Sequence, residues 1–374
     1  MAGIYLHVPF CKSRCHYCDF FKSTKLEYRV QYLENLSSEI VDRKDFFLEK
    51  NTKIETIYFG GGTPSLFSLD QLFHLIKLLY SRYSVSDNAE ITIEVNPDDL
   101  NREYLEGLKT IGVNRLSIGI QSFRDEDLKM MGRRHNARQS FQVLEQVFDE
   151  GFQNVGIDLI YGLPWSTAED WLENIEIVKD YPLKHISAYH LTIEPGTKFG
   201  KEKLAKKLLE IEESESEKLF WQIHDRFKQL GFEHYEISNF CKDGFYSRHN
   251  TSYWNEIPYL GLGPGAHSFD GDKRYWNKPD LHQYISKGYQ PGYSYEILSA
   301  QDRFNEKLML GLRTGRGICK EEMKVRFNEY FKDVEKQVNM WINREFLKFE
   351  NGHIRATRKG WFVIDGIIED LFIV

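Results

Sequence analysis

Apolar and polar positions follow two alternating regimes along the first half of the chain. Short runs rich in β-branched and aromatic residues, at 4–8, 54–59, 89–95, 113–120, 154–163 and 186–193, predict strands. Between them, residues 26–50, 69–80, 101–111, 125–151 and 167–180 carry apolar side chains at helical spacing; in the first stretch Val30, Leu33, Leu36, Ile40 and Phe47 share one side. Strict alternation of strand and helix predicts parallel strands joined by crossover helices. A doubly wound sheet would satisfy that pattern. The candidate site residues, however, fall at the ends of many successive strands, as in a barrel whose site collects groups from every strand's C-terminal end. The expected fold is therefore α/β, a partial (β/α)6 barrel.

The second half reads differently. Residues 201–230 are strongly helical and 232–238 predict a further strand. Residues 244–277, rich in Gly, Tyr, Trp and turn signals, predict irregular structure near the barrel mouth, and 279–293 a short helix and linker. From 301 onwards, helices to about residue 344, a hairpin over 346–357 pivoting on Asn351-Gly352 and a last helix resemble a small winged-helix module. The expected division is 1–200 for the barrel, 201–293 for its extension and 294–374 for the C-terminal module.

Composition narrows the function. At 374 residues, with 41% hydrophobic and 14% aromatic residues, the chain can bury a sizeable core. A net charge of −7 argues against a nucleic-acid partner, and makes the winged-helix-like module a lid or docking unit rather than a DNA reader. The basic run at 201–207 is answered by acidic residues at 210–217, which predicts a solvated helix face. No transmembrane segment is expected: the most apolar stretch, 361–374, is short and carries Asp365, Glu369 and Asp370. Without a charged and apolar leader at its start, the chain is expected to be cytoplasmic.

The chemistry is concentrated behind the first strand. Three of the 5 cysteines, Cys11, Cys15 and Cys18, stand at C-x3-C-x2-C spacing on a loop after Pro9. Disulfide use would leave an odd thiol. Zinc would need a fourth ligand, and His16, lying between two of the cysteines, would strain the loop to provide it. A [4Fe-4S] cluster held by three thiolates, with one iron open to a small molecule, suits the set best. Cys241 and Cys319 have no partners in sequence and read as ordinary thiols.

This motif, with Tyr17 just before the last cysteine and Tyr5-x-His7-x-Pro9-Phe10-Cys11 around it, resembles the radical S-adenosylmethionine (SAM) superfamily. Within it, the chain is similar to the branch of oxygen-independent coproporphyrinogen III oxidases and HemW-type haem chaperones. The resemblance implies that the open iron binds SAM and that one electron from the cluster, supplied by a low-potential donor, cleaves it. It places Tyr5 and Tyr17 among the SAM-site residues. Gly61, Gly62 and Thr63, in a Gly-Gly-Thr-Pro motif, meet the SAM amino group, and Glu94 the ribose. Gln121, Arg133 and Asp158 match positions that bind a second SAM in the oxidases. An Asp inside so apolar a strand also calls for partners on physical grounds alone.

Two departures from the oxidases match the chaperones: Phe20 stands where the oxidase pattern has a fourth cysteine, and few residues precede the first strand. His249-Asn250-x-x-Tyr253-Trp254 resembles the haem motif of the chaperones, with His249 as an iron ligand and Tyr253 and Trp254 as flat faces for a macrocycle. His267 is a weaker candidate, a structural turn being the default there. The expected function is a haem chaperone that passes haem to acceptor haemoproteins; the alternative is an oxidase acting on coproporphyrinogen III, a porphyrin precursor.

Overall fold

In the computed structural model, which describes residues 1–47 and 52–374, all six apolar runs become parallel strands. They are β1 (Ala2–Val8), β2 (Ile54–Gly61), β3 (Val85–Val95), β4 (Arg115–Gln121), β5 (Val155–Tyr161) and β6 (His185–His190), neighbours in chain order. Side chains alternate between the two faces of such strands. Ile4, Leu6 and Val8 join Leu36 and Ile40 of the helix Arg29–Asp42 in the main core, while Tyr5 and His7 take the opposite, inner face. The first expected helix is shorter than its pattern, and residues 48–50 of that expectation lie outside the described residues. Start signals for several helices are explicit: Ser68, Asn136, Thr167 and Ser299 each form a reciprocal capping box.

The sheet does not close. Beyond β6 lie β8 (Asn239–Cys241), antiparallel to β6, and then β7 (Glu233–Glu236), antiparallel to β8. The opposite edge departs from expectation. Residues 244–277 are not irregular: they form the helix Arg248–Trp254, β9 (Tyr259–Leu262), β10 (His267–Phe269) and β11 (Lys273–Asn277), and β12 (Tyr293–Ile297) follows. β9 runs parallel beside β1, so the first strand is internal to the sheet, whose twelve strands run β12-β11-β10-β9-β1-β2-β3-β4-β5-β6-β8-β7.

Two long helical expectations are broken. Residues 125–151 form Asp125–Met130 and Ala137–Asp149, separated by a turn with Gly132 at φ 70°. Residues 201–230 lie in Lys198–Leu204 and Glu213–Gln229, with Lys206 at φ 56° between them. The C-terminal part has the order helix, strand, two helices, hairpin: Ala300–Leu312, β13 (Ile318–Cys319), Lys320–Arg326, Asn328–Asn343, β14 (Leu347–Glu350) and β15 (His353–Ala356). The hairpin turns on Asn351 and Gly352, both at positive φ as a two-residue turn of its kind requires.

One buried ion pair ties the added strands to the barrel. Glu39 is fully buried; its carboxylate accepts from the Gly263 N–H (2.9 Å), Asn277 Nδ2 (2.8 Å) and Tyr284 hydroxyl (2.7 Å). Arg43, one turn on, donates to Glu39 (3.2 Å), to the Gly261 carbonyl (2.9 Å) and to Ser268 Oγ (3.2 Å). Removing one partner of such a pair strands the other. Glu39→Ala is expected to cost about 3–5 kcal/mol, read as a lower midpoint of urea unfolding, whereas Glu34→Ala on the exposed face of the same helix should stay within about 0.5 kcal/mol. Equal effects would mean that the extension is held by other contacts.

Candidate functional site

The cysteine loop is closed at its neck. Phe10 is fully buried; Cys11 N–H donates to the Ser23 carbonyl (3.0 Å) and Ser23 N–H to the Pro9 carbonyl (2.6 Å). The lobe between docks through His16, whose Nδ1 lies 2.7 Å from the Met130 carbonyl and whose N–H donates to Met131 O (2.9 Å). A Cβ on Gly132 would stand 2.7 Å from the His16 ring, so the turn after Met131 must be glycine for this seat. His16 is thereby turned away from the thiols. Tyr17 packs into a second apolar cluster with Leu128, Met131 and Phe199.

The three cysteines and the ends of β2 to β6 surround one cavity of about 400 Å³. Cys11, Cys15, Tyr17, Cys18, Gly61, Gly62, Thr63, Glu94, Gln121, Arg133 and Asp158 all line it. Gly62 packs on the cysteine neck: a Cβ there would meet the carbonyl oxygens of Val8 and Phe10 at 2.8 Å. Thr63 Oγ1 lies 3.6 Å from Cys11 Sγ. Gln121 ends β4 at φ 68°, a left-handed conformation that non-glycine residues adopt at a cost and that clusters at functional sites.

Arg133 organises the centre. Its Nη2 donates to Asn96 Oδ1 (2.7 Å) and the Gly119 carbonyl (2.8 Å), and its Nη1 to Cys15 Sγ (3.5 Å). The adjacent Arg134 pairs instead with Asp98 (2.8 Å) and Asp99 (3.1 Å). Asn96 also donates to Thr63 Oγ1 (3.2 Å), linking the β2 and β3 ends. Its part in the site was not foreseen; the only sequence signal was an Asn-Pro step just beyond Glu94.

Two carboxyl groups face inward. Glu94 Oε1 accepts from the Tyr58 hydroxyl (2.8 Å) and Oε2 from the Gly61 N–H (3.0 Å). Burial raises its pKa to about 7, against the pull of the Tyr58 hydrogen bond. Asp158 is raised by burial too, opposed by hydrogen bonds from Ser187 and Ser117. Sequence reading missed Tyr58, Ser117 and Ser187, because holding a carboxylate leaves no motif.

The donor set fits an iron–sulfur cluster. The three thiols all line one cavity, where separate irons of one cluster can each take a thiolate. All five cysteines are free. Burial pushes the Cys11 thiol up and the Thr63 hydroxyl pulls it back. Among the described residues Arg133 Nε has no hydrogen-bond partner, a donor left over beside the cavity for a bound anionic group.

The proposed haem residues lie elsewhere. His249 is not in a loop at the barrel mouth but buried behind the N-terminal ends of β1 and β2, where a Cβ on Gly3 would touch its ring at 3.1 Å. Its Nδ1 lies 2.7 Å from Thr56 Oγ1 and its Nε2 2.7 Å from the Tyr253 hydroxyl. Both ring nitrogens are engaged, so the ring offers none to an iron in this arrangement. Asn250 and Trp254 line neither of the two cavities described; Tyr253 and Tyr5 line the second, of about 370 Å³. Phe20, 71% exposed, borders both cavities.

Comparison with known proteins agrees with this architecture. Residues 5–178 match the profile "Radical SAM superfamily" and residues 298–363 the "HemN C-terminal domain". The chain is 33% identical to the haem chaperone HemW of Lactococcus lactis over 98% of this chain and 96% of that protein. It is 36% identical to the HemW of a Synechocystis species over 85% and 79%. The solved coproporphyrinogen III oxidase HemN of Escherichia coli superposes with a TM-score of 0.84, at 23% identity, over 99% of this chain and 89% of that one.

The buried carboxyl of Glu94 makes a pH prediction. A folded-state pKa of about 7 against an ordinary 4.5 means the folded chain holds the extra proton, so this stabilising contribution is full below 4.5 and is lost as pH rises through 7. Glu94→Gln is expected to flatten that part of the decline in thermal midpoint between pH 4.5 and 7. A variant with the parent's pH profile would show that Glu94 titrates normally.

Proposed function

Because the chain belongs to the haem chaperone HemW family, we propose that it is a haem carrier built on a radical SAM barrel. The observation that carries this reading is likeness to HemW chaperones along nearly the whole chain, C-terminal module included. Cys11, Cys15 and Cys18 would hold the [4Fe-4S] cluster, with SAM bound in the same cavity. When bound, the cluster supplies a low-potential electron to SAM. Around it, the chain's own groups have separable tasks. Gly61 and Gly62 bring backbone close to the SAM amino group, and Thr63 stands beside them. Glu94, its oxygens already aimed by Tyr58 and Gly61, accepts the ribose hydroxyls. Arg133 screens the thiolates and, through Asn96, keeps Thr63 in place. Tyr17 anchors the loop from behind.

Acceptor haemoproteins take the haem, and a low-potential donor reduces the cluster. No helix among the described residues is long and apolar enough to cross a membrane, and thiolates of this kind persist in a reducing cytoplasm, where we place the protein.

A second reading has its own observation. Gln121, Arg133 and Asp158 line the same cavity, and a pure carrier has no evident need of them. This favours an oxidase that removes two propionate carboxyl groups from coproporphyrinogen III; Phe20 in place of a fourth cysteine opposes it. The test is an anaerobic assay of cluster-reconstituted protein with coproporphyrinogen III, SAM and a low-potential reductant, beside an active oxidase, read by mass spectrometry. The expected result is no decarboxylation, together with haem uptake and transfer to an apo-haemoprotein. Loss of carboxyl groups would make the protein an enzyme. In parallel, Cys15→Ala is expected to lose the brown cluster absorption while keeping its haem uptake.

A further inference from the structure

Haem needs a seat, and the motif histidine expected to provide it is enclosed. The strand register points to another place. Directly paired residues of neighbouring strands project from the same face of a sheet. Gly3 of β1 pairs with Tyr259 of β9, Tyr259 with Phe269 of β10, Phe269 with Arg274 of β11 and His267 with Trp276. These side chains therefore share the inner face that carries Tyr5 and His7. Of these, Tyr259, His267, Phe269 and Arg274 form one wall of the second cavity, whose volume of about 370 Å³ lies within the 300–1,000 Å³ that ligand pockets span. Glu306 and Leu310, from the helix Ala300–Leu312 of the C-terminal module, complete the rim.

The chemistry of this wall is that of a site for a flat anionic macrocycle. His267 is exposed, and neither of its ring nitrogens has a hydrogen-bond partner among the described residues; the Trp276 ring lies 6.3 Å away, nearly parallel to it. Arg274 makes a half-exposed ion pair with Glu306 (2.8 Å), which a ligand carboxylate can replace. Tyr253 contributes an aromatic face and is held from behind by His249.

We propose, on the haem-carrier reading, that haem sits in this second cavity with His267 as an axial ligand of the iron and Arg274 as the counter-charge to its propionates. In this arrangement His249 is a positioning residue that acts through the Tyr253 hydroxyl. Phe20, the shared border of the two cavities, stands between haem and cluster, so the residue that replaces the oxidases' fourth cysteine becomes part of the haem seat.

The test is titration of cluster-loaded protein with ferric haem, followed by visible and electron paramagnetic resonance spectra. His267→Ala, at an exposed position, should keep its cluster content and circular dichroism, lose the histidine-ligated spectrum, and recover it on adding imidazole. Arg274→Gln should weaken binding by about tenfold, the loss of one charge-assisted contact, with the spectrum unchanged. His249→Phe should weaken binding without altering the ligation spectrum. An unchanged spectrum in His267→Ala, or its loss in His249→Phe alone, overturns the assignment. Parent protein that takes up no haem sinks the carrier reading itself and this one with it.

Discussion

A guanidinium withdrawn from bulk water needs acceptors for its donors, and in this protein the acceptors that Arg133 finds are the site's own framework. One nitrogen reaches a carbonyl of β4 and the amide of Asn96 at the end of β3; another reaches a cysteine of the loop that follows β1. The side chain arrives on a turn that also receives His16 from that loop. Two independent contacts therefore fix the loop to the same turn. The thiols cannot shift relative to the strand ends without breaking a charge-assisted hydrogen bond.

The inner face of the barrel shows how a polar interior is sustained. Glu94 and Asp158 lie within the influence of Arg115, a fully buried cation on β4 that favours their charged forms while burial opposes them. Nε and Nη1 of Arg115 have no partner among the described residues. The same cation depresses His249, after burial, and His185 likewise. The floor thus holds this cation beside neutral imidazoles, with the buried Glu90 carboxylate accepting from the His249 N–H. At the mouth, Glu94 and Asp158 share their cavity with Arg133.

Legibility in the sequence follows the range of the interactions concerned. The six parallel strands and the cysteine loop could be read because each is specified within a few residues, by an apolar run or a ligand spacing. The grouping of Gly61, Thr63, Glu94, Gln121 and Asp158, implied by the resemblance, is consistent with parallel strands that all end on one side; Arg133 joins them from the turn after the helix Asp125–Met130. The edge strands β9 to β12 could not. They are three to five residues long, punctuated by glycines and aromatic residues, and depend on β1 and on the Glu39–Arg43 pair for their existence as strands. The helix breaks at Gly132 and Lys206 were hidden because apolar spacing resumes after each. His249 was misplaced for a related reason. A motif states which residues belong together, but whether they face mouth or floor is decided by where the chain re-enters the barrel.

That re-entry bears on the order of biosynthesis. β1 leaves the ribosome first, yet one of its two hydrogen-bonding edges is filled by β9, more than half a chain later. The cysteine loop leans on the same late segment: a Cβ on Gly265 would meet the Phe21 side chain at 3.4 Å, and one on Gly263 the His7 carbonyl at the end of β1 at 2.8 Å. Until β9 arrives, β1 is an exposed apolar edge, with the cysteine loop hanging from it, and non-local pairings of this kind form slowly. Cluster assembly is therefore expected to follow release of the chain as far as β9, and the apoprotein is the form in which nascent molecules are most exposed to aggregation.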